Sequence, residues 1–296
     1  MKKSVAYGAL LPGVLALSAS AIFVKLADAP SAITAFYRLL LALCCIAPAA
    51  LLPRRKRGEW RHLTRRQWGL AALSGILLAV HYILWFESLR FTSVASSTVI
   101  VTLQPLFSMT FGYLFLRERQ RPLAVAGCLV ALAGSFVIGL GDFQSGLRAL
   151  FGDVLAFVAA GVISGYFFLG QLARRDTSAT VYSTIGYSAS VLFLAGYALV
   201  LGQPFAPYPG KTWLCFAGLA VISTVLGQFV FNLLLRWLPA TTVSMSILGE
   251  PIGTCILAYL VFEETIGRQQ GVGIAIMLGG LALYFFATAR SQPEDR

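Results

Sequence analysis

ATTVSMSILGEPIGTCILAYLVF, residues 240–262, carries a single charged residue, Glu250, close to its middle. At 1.5 Å per residue a helix of these 23 positions crosses the roughly 30 Å hydrocarbon core of a bilayer. Lipid offers backbone groups no water, so such a segment must close its own hydrogen bonds as a helix. Pro251 follows Glu250 and removes one backbone donor, which loosens the ladder at mid-span. The stretch VASSTVIVTLQPLFSMTFGYLFL, residues 94–116, has the same length and a matching proline, Pro105, preceded by Gln104.

The match extends outward. A shift of 146 residues aligns 89–138 with 235–284 without a gap, pairing Leu89 with Leu235, Arg90 with Arg236, Pro105 with Pro251, Tyr113 with Tyr259, Glu118 with Glu264, Gly127 with Gly273 and Gly134 with Gly280. Identities among apolar residues mean little, but charged residues at span ends, mid-span prolines and glycine pairs carry weight. Ten apolar spans are predicted, at about 7–25, 32–52, 68–86, 94–116, 123–140, 152–172, 181–201, 212–235, 240–262 and 271–289. The shift therefore equals five spans. An odd number reverses direction, so the expected fold is an all-α membrane protein of ten transmembrane helices in two inverted five-helix repeats, residues 1–145 and 146–296. Inverted repeats suit alternating access, because exchanging the conformations of two like halves turns an inward-open protein outward.

Composition agrees. Of 296 residues 58% are hydrophobic and 12% charged, against about 25% charged in soluble domains. The apolar start with Ala19-Ser20-Ala21 mimics a cleavable secretory signal, but it runs on past Ala21 and the repeat needs this helix. The net charge of +11 is not spread as a nucleic-acid surface. With ten spans, 17 Lys and Arg fall on the side of the termini, including seven in 53–67, and 5 on the other, with Arg38 inside a span. The positive-inside rule then puts both termini in the cytoplasm. The basic run from Arg54 to Arg66 reads as an anchor to anionic lipid head groups. Five cysteines without CxxC spacing and two histidines support neither a disulfide framework nor a metal site. No P-loop, GxSxG, HExxH or paired-carboxylate pattern points to an enzyme or a cofactor.

Leu103-Gln104-Pro105-Leu106-Phe107 with Leu114-Phe115-Leu116-Arg117-Glu118-Arg119 resembles the EamA-type half of the drug/metabolite transporter superfamily. Glu250-Pro251-Ile252-Gly253 with Leu260-Val261-Phe262-Glu263-Glu264 echoes it, and Phe36-Tyr37-Arg38-Leu39-Leu40 and Gly152-Asp153-Val154-Leu155-Ala156 add further matches. The resemblance covers nearly the whole chain. It implies ten helices in inverted repeats and export of amino acids, related metabolites or toxic compounds, often coupled to protons. Near Tyr182-Ser183 nothing corresponds to Arg38, so a role of that arginine is not duplicated.

Ionisable groups deep in a bilayer cost about 2.5–3.5 kcal/mol on insertion scales and default to functional candidates. Glu250 is the first, suited to bind a proton and a substrate ammonium in turn; the plain alternative is a neutral acid bonded to a neighbouring helix. Gln104 is its mate and meets it if the fourth and ninth helices pack centrally. His81, Tyr82 and Trp85 form a cluster, His81 and Trp85 sharing a face at i, i+4, with His81 a candidate proton carrier and Trp85 alternatively an interface anchor. Gln228 and Asn232 repeat that spacing in the eighth span, Gln228 being the mate of Tyr82, so both walls of one cavity are expected. Tyr166, with Phe167 and Phe168, either lines the pocket or packs. Gly161 and Gly165 form a GxxxG pattern expected to allow close helix contact. Arg38 is expected to pair with Asp28 or Glu87 rather than bind a substrate carboxylate, and Glu118 and Glu264 to make boundary contacts. Pro105 and Pro251 mark helix segments that move. A flippase for lipids or lipid-linked sugars and a non-transporting scaffold or sensor are the competing readings.

Overall fold

The structure, a computed structural model, describes residues 3–92, 94–139, 146–262 and 267–289. Among these every regular element is helical. Nine helices are long and apolar enough to cross a membrane: α1 Val5–Leu26, α2 Ser31–Leu51, α3 Arg65–Phe91, α4 Ser97–Leu116, α6 Leu147–Ala173, α7 Ala179–Val200, α8 Gly210–Leu234, α9 Ala240–Val261 and α10 Gly271–Thr288. The tenth, α5, is a shorter apolar helix, Pro122–Val137.

Local sequence sets the ends. Thr64 opens α3 with a capping box: Gln67 N donates to Thr64 Oγ1 at 3.2 Å and Thr64 N donates to Gln67 Oε1 at 2.7 Å. Pro30, Pro209 and Pro239 immediately precede α2, α8 and the first part of α9. At the end of α4, Arg117 turns left-handed (φ 57°) and Glu118 N donates to Gly112 O at 3.0 Å, closing the last turn. The loop after α2 holds a short helix, Arg54–Arg61, whose Trp60 Nε1 donates to Ala50 O at 2.9 Å. The side chains of residues 54–57 lie outside the described set.

The bundle obeys a pseudo-two-fold axis with the 146-residue shift. Helix α1 packs on α8 and α6 on α3; α1 packs on α9 and α6 on α4; α2, α4 and α5 pack on their own mates α7, α9 and α10. The last pair shows the inversion directly. A Cβ on Gly127 would lie 2.9 Å from Gly280 O, and one on Gly134 2.7 Å from Gly273 O. Residue numbers rise along α5 as they fall along α10, so the mates are antiparallel, and the contact 127–280 maps onto 273–134.

Both proline-bearing spans are broken. The helix in the fourth span stops at Val101 and restarts at Gln104; the ninth stops at Ile247 and restarts at Glu250. Proline is tolerated in a first turn, where its missing N–H is not needed, so each pair Gln104-Pro105 and Glu250-Pro251 opens a new half-helix. Residues Leu219–Gln228 of α8 form a π-helix, with Thr224 Oγ1 donating to Leu219 O at 2.9 Å.

Candidate functional site

The break points are tied into the bundle symmetrically. Ser18 Oγ donates to Glu250 O (3.1 Å) and to Val14 O (2.9 Å). Its mate Ser164 donates to Gln104 O and to Ala160 O, both at 2.8 Å. All three residues of one set lie 146 positions from those of the other. Helices α4 and α9 meet beside them, with Ser108 Oγ and Ser244 Oγ 2.7 Å apart.

Gln104 and Glu250 face one cavity, which places it on the axis. Arg38, His81, Tyr82, Trp85 and Gln228 also line it. Its volume of about 40 Å³ is far below the roughly 300 Å³ of a small-molecule pocket, so it must widen to admit a solute. Seven of the sequence candidates thus converge, contributed by α2, α3, α4, α8 and α9. Trp85 is 4% exposed and stacks on His81 at 5.9 Å, so it is a wall of the cavity rather than an interface anchor. His81 Nδ1 lies 3.0 Å from Ala159 O. A carbonyl only accepts, so Nδ1 carries the proton and, in the neutral ring, Nε2 is left as an acceptor.

Arg38 corrects an expectation. It does not pair with Asp28 or Glu87; Glu87 is held by Arg90 at 3.3 Å. Fully buried, Arg38 donates through Nε to Thr224 Oγ1 (2.8 Å) and through Nη1 to Ser20 Oγ (2.7 Å), and lies 4.3 Å above the Tyr82 ring. Thr224 sits in the π-helix, which aims that hydroxyl at the guanidinium.

Tyr166 and Asn232 do not line the cavity. They form a separate buried network: Tyr166 OH donates to Asn232 Oδ1 (2.7 Å), and Asn232 Nδ2 donates to Ser183 Oγ (3.1 Å) and Tyr187 OH (3.4 Å). Arg174, 2% exposed, donates to Asn232 O at 2.9 Å and to Thr177 O. Close by in sequence, Gln171 Nε2 donates to Glu118 Oε1 (2.9 Å) while Ala240 N donates to Gln171 Oε1 (2.7 Å), joining α4, α6 and α9. These contacts join α4, α6, α7, α8 and α9. Sequence reading missed Gln171, Arg174, Ser183 and Tyr187; Arg174 counted only as a flanking charge. Glu264 lies outside the described residues. Gly161 and Gly165 make room for the side chains of Phe107 and Leu77, not for a helix backbone. Besides the contacts of α5 with α10, a close backbone approach lies at Gly75 of α3, where a Cβ would fall 2.0 Å from Gly186 O of α7. Phe167 lines the cavity, whereas Phe168 packs on Phe111 and Phe115.

A cavity on the axis between inverted halves, lined by apolar side chains with a few polar ones among them and bounded by two broken helices, is the build of a membrane transporter. The model of the EamA-like transporter family matches residues 5–140 and again residues 150–286, so the chain belongs to that family and carries its repeat twice. An uncharacterized transporter of Archaeoglobus fulgidus is 25% identical over 258 residues, covering 84% of this chain and 86% of that protein. The uncharacterized transporter YwfM of Bacillus subtilis is 25% identical over 233 residues (78% and 77%). Protein RarD of Streptomyces exfoliatus is 24% identical over 270 residues (88% and 81%). One crystal structure superposes with a TM-score of 0.78 over 98% of this chain and 99% of its own, at 19% identity, which speaks to the fold alone.

Proposed function

We propose that the protein exports a small polar metabolite, such as an amino acid or related compound, by alternating access, and that Glu250 couples export to proton entry. One observation carries this reading. Glu250 is 6% exposed, faces the axial cavity, and its carboxyl group takes no hydrogen bond or ion pair from the described residues. It also opens a half-helix, whose free N–H groups and dipole favour a negative charge there. A buried carboxyl with no permanent partner is free to hold a proton and a substrate ammonium alternately. His81, through Nε2, is the second candidate for the proton's path. Pro105 and Pro251 supply the weak points about which the half-helices move, and Glu118, bonded by Gln171, braces the end of the first.

The charge asymmetry supports an orientation with both termini in the cytoplasm of the bacterial inner membrane and the Arg54–Arg66 segment on anionic head groups. The repeat boundary is set at residues 145 and 146. The competing lipid-flippase reading draws on an apolar groove of about 620 Å³ between α1, α9 and α10.

The decisive experiment loads proteoliposomes with the small-molecule fraction of a bacterial extract and follows efflux by mass spectrometry, with and without an imposed pH gradient. The expected result is gradient-driven efflux of defined metabolites in the wild type and none in Glu250→Gln, with unchanged thermal stability. Equal gradient-driven efflux by the two proteins refutes the coupling role of Glu250. Lipid translocation without metabolite efflux supports the flippase instead.

A further inference from the structure

Four residues that line the axial cavity each carry a buried donor without a hydrogen-bond partner: Arg38 Nη2, Tyr82 OH, Trp85 Nε1 and Gln228 Nε2. Their residues are 0, 2, 4 and 3% exposed. Buried polar atoms are normally satisfied, so four on the residues of one small cavity mark a place prepared for acceptors. Trp Nε1 and the guanidinium can only donate, and arginine keeps its charge in a protein. Ser20 and Thr224 fix the guanidinium by hydrogen bonds but supply no negative charge. Glu250 shares the cavity and feels the field of Arg38, yet the two form no ion pair. The guanidinium therefore has an unused N–H and an unspent positive charge at the same point.

We infer that Arg38, Tyr82, Trp85 and Gln228 form a carboxylate-binding pole that selects the transported molecule by its anionic group. Arg38 supplies the charge and one N–H, and Tyr82, Trp85 and Gln228 supply uncharged donors to the carboxylate oxygens. The pole belongs to one orientation only. By the 146-residue shift Arg38 corresponds to Thr184 and Tyr82 to Gln228, so the arginine is single while the donors of α3 and α8 face each other across the axis. A substrate held here has its carboxylate towards α2, α3 and α8, leaving Glu250 on α9 to receive a cationic group or a proton. The cavity must widen to admit it, which the broken helices permit.

This inference rests on the transport reading, and the same extract-loaded proteoliposomes separate the two. Protein-dependent efflux confined to compounds with a free carboxylate, and abolished for their methyl esters, supports the pole. Tyr82→Phe and Trp85→Phe keep the rings but remove one donor each. A hydrogen bond to a charged group is worth about 1.5–3 kcal/mol, so each is expected to raise KM for an exported carboxylate roughly tenfold or more. A merely structural tyrosine or tryptophan would leave the KM and the ester discrimination unchanged. Efflux of compounds lacking a carboxylate, or unaltered KM in both variants, overturns the pole while leaving transport standing. Absence of efflux for every compound removes the transport reading and the pole with it.

Discussion

The two halves share their frame and differ in their chemistry. Ser18 and Ser164 brace mated break points with mated hydrogen bonds, and α5 crosses α10 through contacts that map onto themselves. At the site the mates diverge: Gln104 against Glu250, Thr184 against Arg38, Gln228 against Tyr82. The interfaces diverge in step. Helix α3 meets α7 through bare backbone at Gly75 and Gly186, whereas the mated pair α8 and α2 meet through Thr224 and Arg38. Where the first half has Phe107 packed against Gly161, the second has Gly253, and a groove lies open beside it. On the proposed reading, symmetry serves the motion and asymmetry serves recognition, through one carboxyl and one guanidinium rather than two of each.

The comparison is most severely tested by moving the carboxyl across the axis. Gradient-driven efflux of Glu250→Gln is expected to fall to that of protein-free liposomes. In the double variant Gln104→Glu with Glu250→Gln a measurable part should return, since position 104 faces the same cavity and opens the mated half-helix. No recovery in a folded double variant would show that the half carrying the carboxyl matters, not just its presence on the axis.

A smaller effect concerns the unequal interfaces. Gly75→Val forces a side chain into the backbone of α7 and should cost at least about 1–3 kcal/mol, the usual price of overpacking. Gly69→Val on the same helix, where a Cβ meets nothing within 4 Å, should stay within about 0.5 kcal/mol of wild type. Thermal unfolding in detergent reads both. Equal melting temperatures would mean that α3 and α7 are not in backbone contact.

The smallest effect is the most symmetric. Ser18→Ala and Ser164→Ala each remove one interhelical hydrogen bond, a loss of about 0.6 kcal/mol in membrane proteins. The two should destabilise equally, and a difference beyond experimental error would break the equivalence of the braces.

The spans, their inversion and the matched positions of Gln104 and Glu250 follow from sequence alone; that the two face one cavity waits on the packing of the fourth and ninth spans. Hydrocarbon imposes its demand on each segment separately, so twenty apolar residues announce a helix without reference to any neighbour. Duplication leaves a second copy in which the proline and its polar partner can be recognised 146 residues on. Partners of a buried side chain carry no such signal. Arg38 finds Ser20 and Thr224, 18 and 186 positions away, and the second contact depends on a π-helix that no local pattern marks. Arg174 looks like any flanking charge until α8 is laid against it, and Tyr166 and Asn232 lie on plausible faces yet turn to each other and not to the cavity. Helical periodicity fixes which residues share a face; only the packing of ten helices fixes what that face meets, because rotation about a helix axis by a few tens of degrees exchanges one set of polar neighbours for another.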